Sequence, residues 1–321
     1  MYLESLALCI YLILLSSCAD LFAFDVCTDL ELNTGYRNDS LQRKNTLELV
    51  PPAVDQTDEI KINPISIWQV GMDARFLMSP FSHKHGQEDS HLHNFYLTGF
   101  AFWGWNIANP QLHETIQGSS EKQVGRAEVD DVHTYDFQIG AGYLVDWKHW
   151  NFSFSGGYAF DKQRITTNNG QISFPSGAPF EDAPLYGNGY ATTTTWKGAW
   201  LGIDAAYIWR HWKAETGYEY HFAHYTANHV IPIGYIAGVE GYKTHTKAND
   251  AHGNVFFLNG AYLFCTRWEL GACFKYQHWN ANDGRLTSPF FSANGFPSTT
   301  KVIASGKWIS YSISLCIDYA F

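Results

Sequence analysis

Residues 308–321, at the carboxyl end of the chain, alternate strictly between two kinds of side chain. The apolar set is Ile309, Tyr311, Ile313, Leu315, Ile317, Tyr319 and Phe321. The opposite set is mostly small or polar: Trp308, Ser310, Ser312, Ser314, Cys316, Asp318 and Ala320. A period of two places each set on one face of a β-strand. A strand this long is unusual in a soluble sandwich, so the pattern is typical of a barrel strand whose apolar face meets lipid.

The same alternation recurs along the chain and predicts about ten strands of roughly 12–18 residues, the length that tilted membrane strands need. The predicted strands cover residues 29–45, 65–79, 94–106, 133–145, 151–165, 193–209, 212–222, 254–264, 268–280 and 308–321. Tight turns are predicted at 146–149, 210–211 and 265–267. Long loops rich in Gly, Pro, Asn and Thr are predicted at 108–131, 166–192, 228–253 and 283–306. Short turns that alternate with long loops are typical of outer-membrane barrels, although the connection 80–93 is long where a short turn is expected.

Ionisable residues in the predicted strands fall on the phase opposite to the aromatic residues. This inward set is Asp73, Arg75, Asp204, Lys213, Glu215, Glu219, Glu269 and Lys275. A basic residue that faces lipid at the bilayer midplane destabilises a barrel by about 2–4 kcal/mol, so the charged face of each strand is expected to point inward. Tryptophans near the strand ends predict aromatic girdles at the membrane surfaces: Trp68, Trp103, Trp105, Trp147, Trp150, Trp196, Trp212 and Trp268. The fold class predicted is therefore all-β, a transmembrane antiparallel up-and-down β-barrel of about ten strands.

Composition narrows the classes of partner. The chain has 321 residues, of which 17% are aromatic and 16% charged, with a net charge of -10. Nucleic-acid binding needs clustered Lys and Arg, so the charge argues against a nucleic-acid partner. The six cysteines form no CxxC pair. Cys273 and Cys316 fall on the interior phase, where they are expected as small filling residues, with a disulfide between neighbouring strands as the alternative.

The beginning of the chain predicts a signal peptide. The apolar run from Leu6 to Leu15 is too short for a membrane helix and is followed by small residues. The expected organisation is a signal peptide at 1–23 and an outer-membrane barrel at 24–321. Cys18 follows a sequence similar to a lipobox, so a lipid anchor is the alternative interpretation.

Several local sequences are similar to those of one family of barrels. They are residues 29–35 (DLELNTG), 135–140 (YDFQIG), 154–158 (FSGGY), 215–220 (ETGYEY) and 269–276 (ELGACFKY). With about ten strands and alternating loops, the chain resembles the omptins, ten-stranded outer-membrane endopeptidases. It has a looser similarity to pore-forming outer-membrane proteins of intracellular bacteria.

The omptin resemblance implies candidate catalytic residues. Omptins carry two carboxylates on the loop after the third strand and an Asp-x-His pair on the loop after the seventh. In this sequence the corresponding regions offer Asp130 and Asp131, followed by His133, and the pair Asp250 and His252. The Asp would orient and stabilise a His general base, and the opposite carboxylates would help to position water. The alternative is a solvated polar loop, because Asp130 and Asp131 are adjacent and Asp250 lies close to the eighth strand.

A second histidine-rich segment lies in the long connection after the second strand. His83, His85, His91 and His93 have spacings that could bind a transition metal, but a polar loop is the preferred interpretation. No metal and no cofactor are predicted.

The preferred function is a non-enzymatic surface or pore protein; the alternatives are an omptin-type endopeptidase and a purely structural envelope barrel. The expected partners are outer-membrane lipid or lipopolysaccharide, and a host or peptide ligand at the loops. The protein is expected to be a monomer.

Overall fold

The computed structural model describes residues 25–48, 56–79, 93–117, 122–173, 183–184, 190–231, 242–264, 267–287 and 301–320. These residues form twelve β-segments: β1 (Asp25–Glu48), β2 (Gln56–Ser79), β3 (His93–Asn106), β4 (Gln111–Gln117), β5 (Lys122–Trp147), β6 (Trp150–Ser173), β7 (Ala183–Pro184), β8 (Tyr190–Trp209), β9 (Trp212–Ile231), β10 (Tyr242–Leu263), β11 (Trp268–Thr287) and β12 (Lys301–Ala320). In the part of the chain that the structure describes, no helix could cross a membrane.

The strands close into a barrel. Each strand pairs antiparallel with its neighbours, and β1 pairs with both β2 and β12, which joins the first strand to the last. Segments β3 and β4 follow each other along the same position in the wall, because both pair with β2 and with β5. They therefore count as one strand of ten, and β7 is a short extra strand on the end of β6. The predicted all-β antiparallel barrel of about ten strands is confirmed.

One end of the barrel carries two-residue turns. Lys148 and Arg210 have φ angles of 59° and 57°, the left-handed conformation that tight hairpins require. The β5–β6 turn is flanked by the pair Trp147–Trp150, and the β8–β9 turn by the pair Trp209–Trp212. We call this end of the barrel the turn end and the opposite one the loop end.

Several predicted loops are strands in the structure. Strand β5 begins at Lys122 instead of His133, and β10 begins at Tyr242 instead of Asn254. A strand of 24 residues, such as β1, is about 80 Å long at ~3.3 Å per residue. Even when tilted, such a strand extends far beyond an apolar band ~25 Å tall. The barrel therefore has a turn half, which carries the apolar band, and a loop half beyond it.

The two faces of the wall exchange character between these halves, as β9 illustrates. In the turn half its outward residues include Tyr218 and Phe222, which are 44% and 55% exposed, while Glu219 points inward and is buried. Further along β9, the outward His224 is exposed and the inward Ala227 is buried. Apolar side chains therefore lie outside the wall in the turn half and inside it in the loop half.

The inside of the loop half is a packed apolar core. Its members share one buried cluster and include Leu41, Ile60, Ile62, Ile65, Leu112, Val129, Val132 and Ile165. Removing apolar surface from water stabilises such a cluster. The loop half is thus built like a soluble β-barrel: exposed polar side chains lie outward, and its interior is mainly apolar, with a few buried polar residues such as Arg43, Glu114 and His229.

Candidate functional site

The predicted carboxylate pair lies on β5 and faces out of the barrel. Asp131 Oδ2 is 3.1 Å from His133 Nε2, and both side chains are partly exposed. Their neighbour Val132 points inward and is buried, so Asp131 and His133 lie on the outer face. Asp130 is exposed and sits where the register of β5 shifts between Val129 and Asp131. This group therefore does not point into the lumen.

The predicted dyad on β10 also lies on the outside of the wall. Asp250 is exposed at a register shift between Ala248 and Ala251. The ring of His252 stacks on Tyr220, with 6.3 Å between the centroids. Strands β6, β8 and β9 separate β5 from β10. Both groups therefore lie on the outer face of the wall, on strands that three others separate, and their catalytic role stays a prediction.

Other predicted features lie partly or wholly outside the described residues. The signal peptide 1–23 is outside them, as are His83, His85 and His91 and the side chain of His93. Their roles stay predictions. The thiols of Cys273 and Cys316 are free. They lie on neighbouring strands but out of register, because Cys316 pairs with Gly271 and Cys273 with Ser314.

The lumen of the turn half contains a cavity of about 160 Å³, which we call the charged chamber. Seven carboxylates and three cationic side chains line it: Asp29, Glu31, Asp73, Asp204, Glu215, Glu219, Asp318, Arg75, Lys213 and Lys275. Every ionisable residue predicted to point inward is here except Glu269, which pairs with Lys213 at 3.6 Å. The predicted sorting of charges to the inside of the wall is confirmed. Carboxylates outnumber cations by four on the chamber wall.

The ion pairs that Arg75 and Lys213 form with Glu215 in the charged chamber are long. Arg75 Nη2 is 3.9 Å from Glu215 Oε1, and Lys213 Nζ is 3.9 Å from Glu215 Oε2. The side chains of Arg75 and Lys213 keep 33% and 25% of their exposure, so water reaches the chamber. Loose pairs between partly hydrated groups contribute little to stability. The chamber is consequently a wet, polar space instead of a packed core.

A layer of buried aromatic rings lies in the lumen beside the charged chamber. This lumen layer consists of Trp196, Trp200, Trp279, Trp308, Tyr225 and Arg37, all of them at most 2% exposed. The Trp196 ring is 4.5 Å from Tyr225 and 5.8 Å from Trp279, measured between centroids. Trp279 stacks on Trp308 at 6.0 Å and 11°. Because these residues come from β1, β8, β9, β11 and β12, the layer crosses the interior of the barrel.

Arg37 connects the lumen layer to the opposite wall. Its Nε donates to Asp39 at 2.8 Å, and its Nη1 donates to Asp136 on β5 at 2.5 Å. The amide of Gln163 on β6 donates to Asp39 at 2.6 Å. The guanidinium also lies 4.9 Å above the Trp308 ring. Strands β1, β5, β6 and β12 are thereby tied together through a buried charge network that sequence reasoning missed.

A second buried pair that sequence reasoning missed lies within the loop half. His229 points inward from β9, is buried, and contacts Arg43 Nη1 through Nε2. Burial and the neighbouring Arg43 charge hold the pKa of His229 well below its usual value. His229 is therefore neutral at physiological pH. Its signal in the sequence was only its phase, shared with Ala227 and Tyr225 on the inward face.

Comparison with known protein families shows to which family the chain belongs. The family described as Protochlamydia outer membrane protein (Pom) matches residues 31–321 of the chain. This chain belongs to the Pom family. Its structure resembles the outer membrane protease OmpT from Escherichia coli, with a TM-score of 0.62 and 12% identity over 94% of this chain and 99% of OmpT. A FadL homologue from Pseudomonas aeruginosa matches with a TM-score of 0.32 and 6% identity over 91% of this chain and 90% of that one. No curated protein sequence matches it.

Two predictions are settled by these findings. The Pom match confirms the outer membrane as the location, and the OmpT likeness confirms an omptin-like ten-strand fold. The apolar outer face of the turn half is consequently the surface that meets lipid.

One predicted girdle of this Pom-family barrel is present. At the turn end, Trp147, Trp150, Trp212 and Trp268 are exposed on the outside, where the membrane interface favours them. The prediction for Trp196 was wrong. It is 0% exposed and belongs to the lumen layer, because on β8 it shares the inward phase with Trp200 and Asp204.

Proposed function

We propose that this Pom-family protein is a non-enzymatic surface protein of the outer membrane, with a lumen that is closed to solutes. The lumen layer carries this proposal. Its rings and the Arg37 guanidinium are almost completely buried and meet one another across the interior. A ten-stranded barrel is narrow, and its interior is readily filled by side chains.

Opening the lumen would be costly. A passing hydrated ion would have to displace Arg37 from Asp39 and Asp136, and breaking a buried pair costs about 3–5 kcal/mol. Each separated aromatic pair adds about 0.5–1.5 kcal/mol. Apart from Trp200, the rings of the layer belong to the same buried cluster as the apolar side chains of the loop half, and a hydrophobic constriction of this kind excludes water. The buried ion pairs and the apolar packing together support a closed barrel.

The loop half supports a role at the cell surface. Its outer wall carries exposed polar side chains such as Lys44, Lys61 and Lys247, so this part of the barrel suits water. Short turns are typically periplasmic in outer-membrane barrels, which would direct the loop half outward from the cell. We infer that the loop half holds the connecting loops rigidly above the membrane, where they can contact a host or peptide ligand. Lipid or lipopolysaccharide at the wall and a monomeric state complete the proposal.

Planar-bilayer recordings of the refolded protein test closure. The wild type should give a flat trace, and discrete current steps from the wild type would overturn the proposal. The double variant Trp196→Ala/Trp308→Ala removes two rings of the layer and should produce brief openings. The matched control is Trp209→Ala, which removes an exposed ring on the outer face at the turn end. That variant should remain flat.

A pore is the second candidate, and the charged chamber favours it. Ionisable side chains at membrane depth are costly and commonly mark ion or solute pathways. If the wild type does conduct, Glu215→Gln should change its ion selectivity, because Glu215 lines the chamber. A conductance with selectivity unchanged in this variant would place the pathway elsewhere.

The third candidate is the omptin-type endopeptidase. We expect no cleavage of basic peptides, since Asp250 and His252, like Asp130 and Asp131, are on the outer face of the wall and do not point into the lumen. Cleavage that is lost in His252→Ala would establish the dyad instead.

A further inference from the structure

The charged chamber has the makings of a binding site. It lies in the turn half, below the lumen layer, and its wall carries four more carboxylates than cations. Near the turn end, the side chains of Lys213 and Glu269 are 25% and 22% exposed, so we take this end as the accessible side of the chamber. The buried Trp200 of the lumen layer also lines the chamber.

Unused hydrogen-bonding atoms line this pocket. Asn259 Oδ1 and Asp318 Oδ1 are buried atoms that have no hydrogen-bond partner among the described residues, and both residues lie on the chamber wall. Both atoms are acceptors, whereas the buried Nε1 of Trp200, which also lines the chamber, is a donor without a hydrogen-bond partner among the described residues. Buried acceptors without a partner are rare in proteins and are commonly satisfied by water or a ligand. A ligand that donates hydrogen bonds would satisfy them.

The same wall is also aromatic. Phe100, Phe102, Phe257 and Tyr96 line the chamber between the carboxylates. Lys275 forms no ion pair with a described residue, and its Nζ lies 4.4 Å from the centroid of the Phe100 ring. The face of an aromatic ring attracts ammonium groups. The ammonium group of Lys275 therefore lies against an aromatic ring of the chamber, in a position where the ammonium group of a ligand could also bind.

We propose that the charged chamber binds a small aliphatic amine with two primary ammonium groups, such as an alkyl diamine, that enters from the turn end. Its ammonium groups would pair with the excess carboxylates and donate to Asn259 and Asp318. Its methylene chain would pack on Phe102 and Phe257. A volume of about 160 Å³ suits a chain of a few carbon atoms better than a larger ligand. This site does not depend on whether the lumen conducts.

Isothermal titration calorimetry with 1,4-diaminobutane tests the site, using the full-length barrel refolded in detergent micelles at pH 7.5 and low salt. We expect saturable binding with one diamine per barrel and no binding of 1,4-butanediol, which has the same length but no charge. Asp73→Asn should weaken binding about tenfold, because one chamber carboxylate is neutralised. Asp130→Asn removes the same charge from the outer face and should leave the affinity unchanged.

Lys275→Gln gives a test with the opposite sign. It removes the ammonium group from the Phe100 ring and one positive charge from the chamber, so diamine binding should become several-fold tighter. A variant that only disturbed packing would not bind the diamine more tightly. The Lys275→Gln test therefore stays informative even if Asp73→Asn folds poorly. The proposal is overturned by absence of saturable heat, by equal binding of the diol, by equal weakening in Asp130→Asn, or by unchanged or weaker binding in Lys275→Gln.

Discussion

Replacing Arg37 by Met should destabilise the barrel severely. Arg37 is 2% exposed and pairs with two carboxylates, of Asp39 and Asp136, which are 0% and 4% exposed. The substitution keeps an apolar stem of similar length but leaves both carboxylates buried without their cation. Removing one partner of a buried ion pair generally costs about 3–5 kcal/mol. The lost contact with the Trp308 ring adds up to about 2 kcal/mol.

Lys61→Met is the matched control for this substitution. Lys61 Nζ is 3.1 Å from Glu59 Oε1, but its side chain is 53% exposed. An exposed ion pair contributes about 0–1 kcal/mol. The same chemical change should therefore cost several kcal/mol at position 37 and little at position 61.

Urea unfolding of the barrel refolded in lipid vesicles, followed by tryptophan fluorescence, measures both variants. The double variant Arg37→Met/Asp136→Asn should recover part of the lost stability, because one buried carboxylate is no longer charged. If Arg37→Met and Lys61→Met differ by less than about 1 kcal/mol, the buried network does not hold the lumen layer in place and the reasoning fails.

Two further predictions use the same unfolding assay. Because the pKa of His229 is held low in the folded barrel, the unfolded chain binds more protons as the pH falls below about 6.5, so stability drops by up to about 1.4 kcal/mol per pH unit. His229→Gln, which cannot titrate, should lose less stability than the wild type between pH 7.5 and 5, and an equal loss would exclude His229 as the cause. Gly157→Ala should lower the free energy of unfolding by about 1–3 kcal/mol, the range for overpacking, since a Cβ there would collide with the carbonyl oxygen of Ile139. Gly260→Ala meets nothing within 4 Å and should be neutral or slightly stabilising, so a similar cost at both positions would contradict the packing argument.

The strands of the turn half could be predicted from the sequence because strongly apolar and strongly polar residues alternate along them. In β12 the outward Ile313 and Leu315 are 61% and 64% exposed, while the inward Ser312 and Ser314 are buried. Lipid outside and charge or hydroxyl inside make the two faces chemically distinct at every step. A period of two is then visible in the sequence alone.

The strands of the loop half were predicted as loops because the difference in hydropathy between their two faces is small. Along β10, inward Ala248 and Ala251 alternate with polar outward residues, and the register shifts between them. Alanine contributes little to a hydropathy pattern, and a bulge breaks the period. For the same reason Asp250 and His252, which the sequence placed in a loop, lie on the outer face of strand β10 in the structure.

The lumen layer and the charged network of Arg37 could not be predicted at all. Arg37 and Asp136 are 99 residues apart in sequence, and they meet only because the barrel closes and brings β1 opposite β5. Strand phase places a side chain inside the wall but does not say which residues meet it across the lumen. The tryptophan at position 196 shows the same limit, because strand position suggested a girdle and only the phase on β8 places it inside.

A nitroxide scan along β9 tests most directly whether the wall exchanges its faces. Single cysteines at positions 218, 222, 224 and 228, in a background with the native cysteines replaced, would be spin-labelled in lipid vesicles and tested for contact with oxygen and with a water-soluble nickel complex. Labels at 218 and 222 should meet oxygen dissolved in lipid, and labels at 224 and 228 should meet the nickel complex. Water contact at 218 and 222, or lipid contact at 228, would contradict a barrel that is lipid-facing in its turn half and water-facing in its loop half.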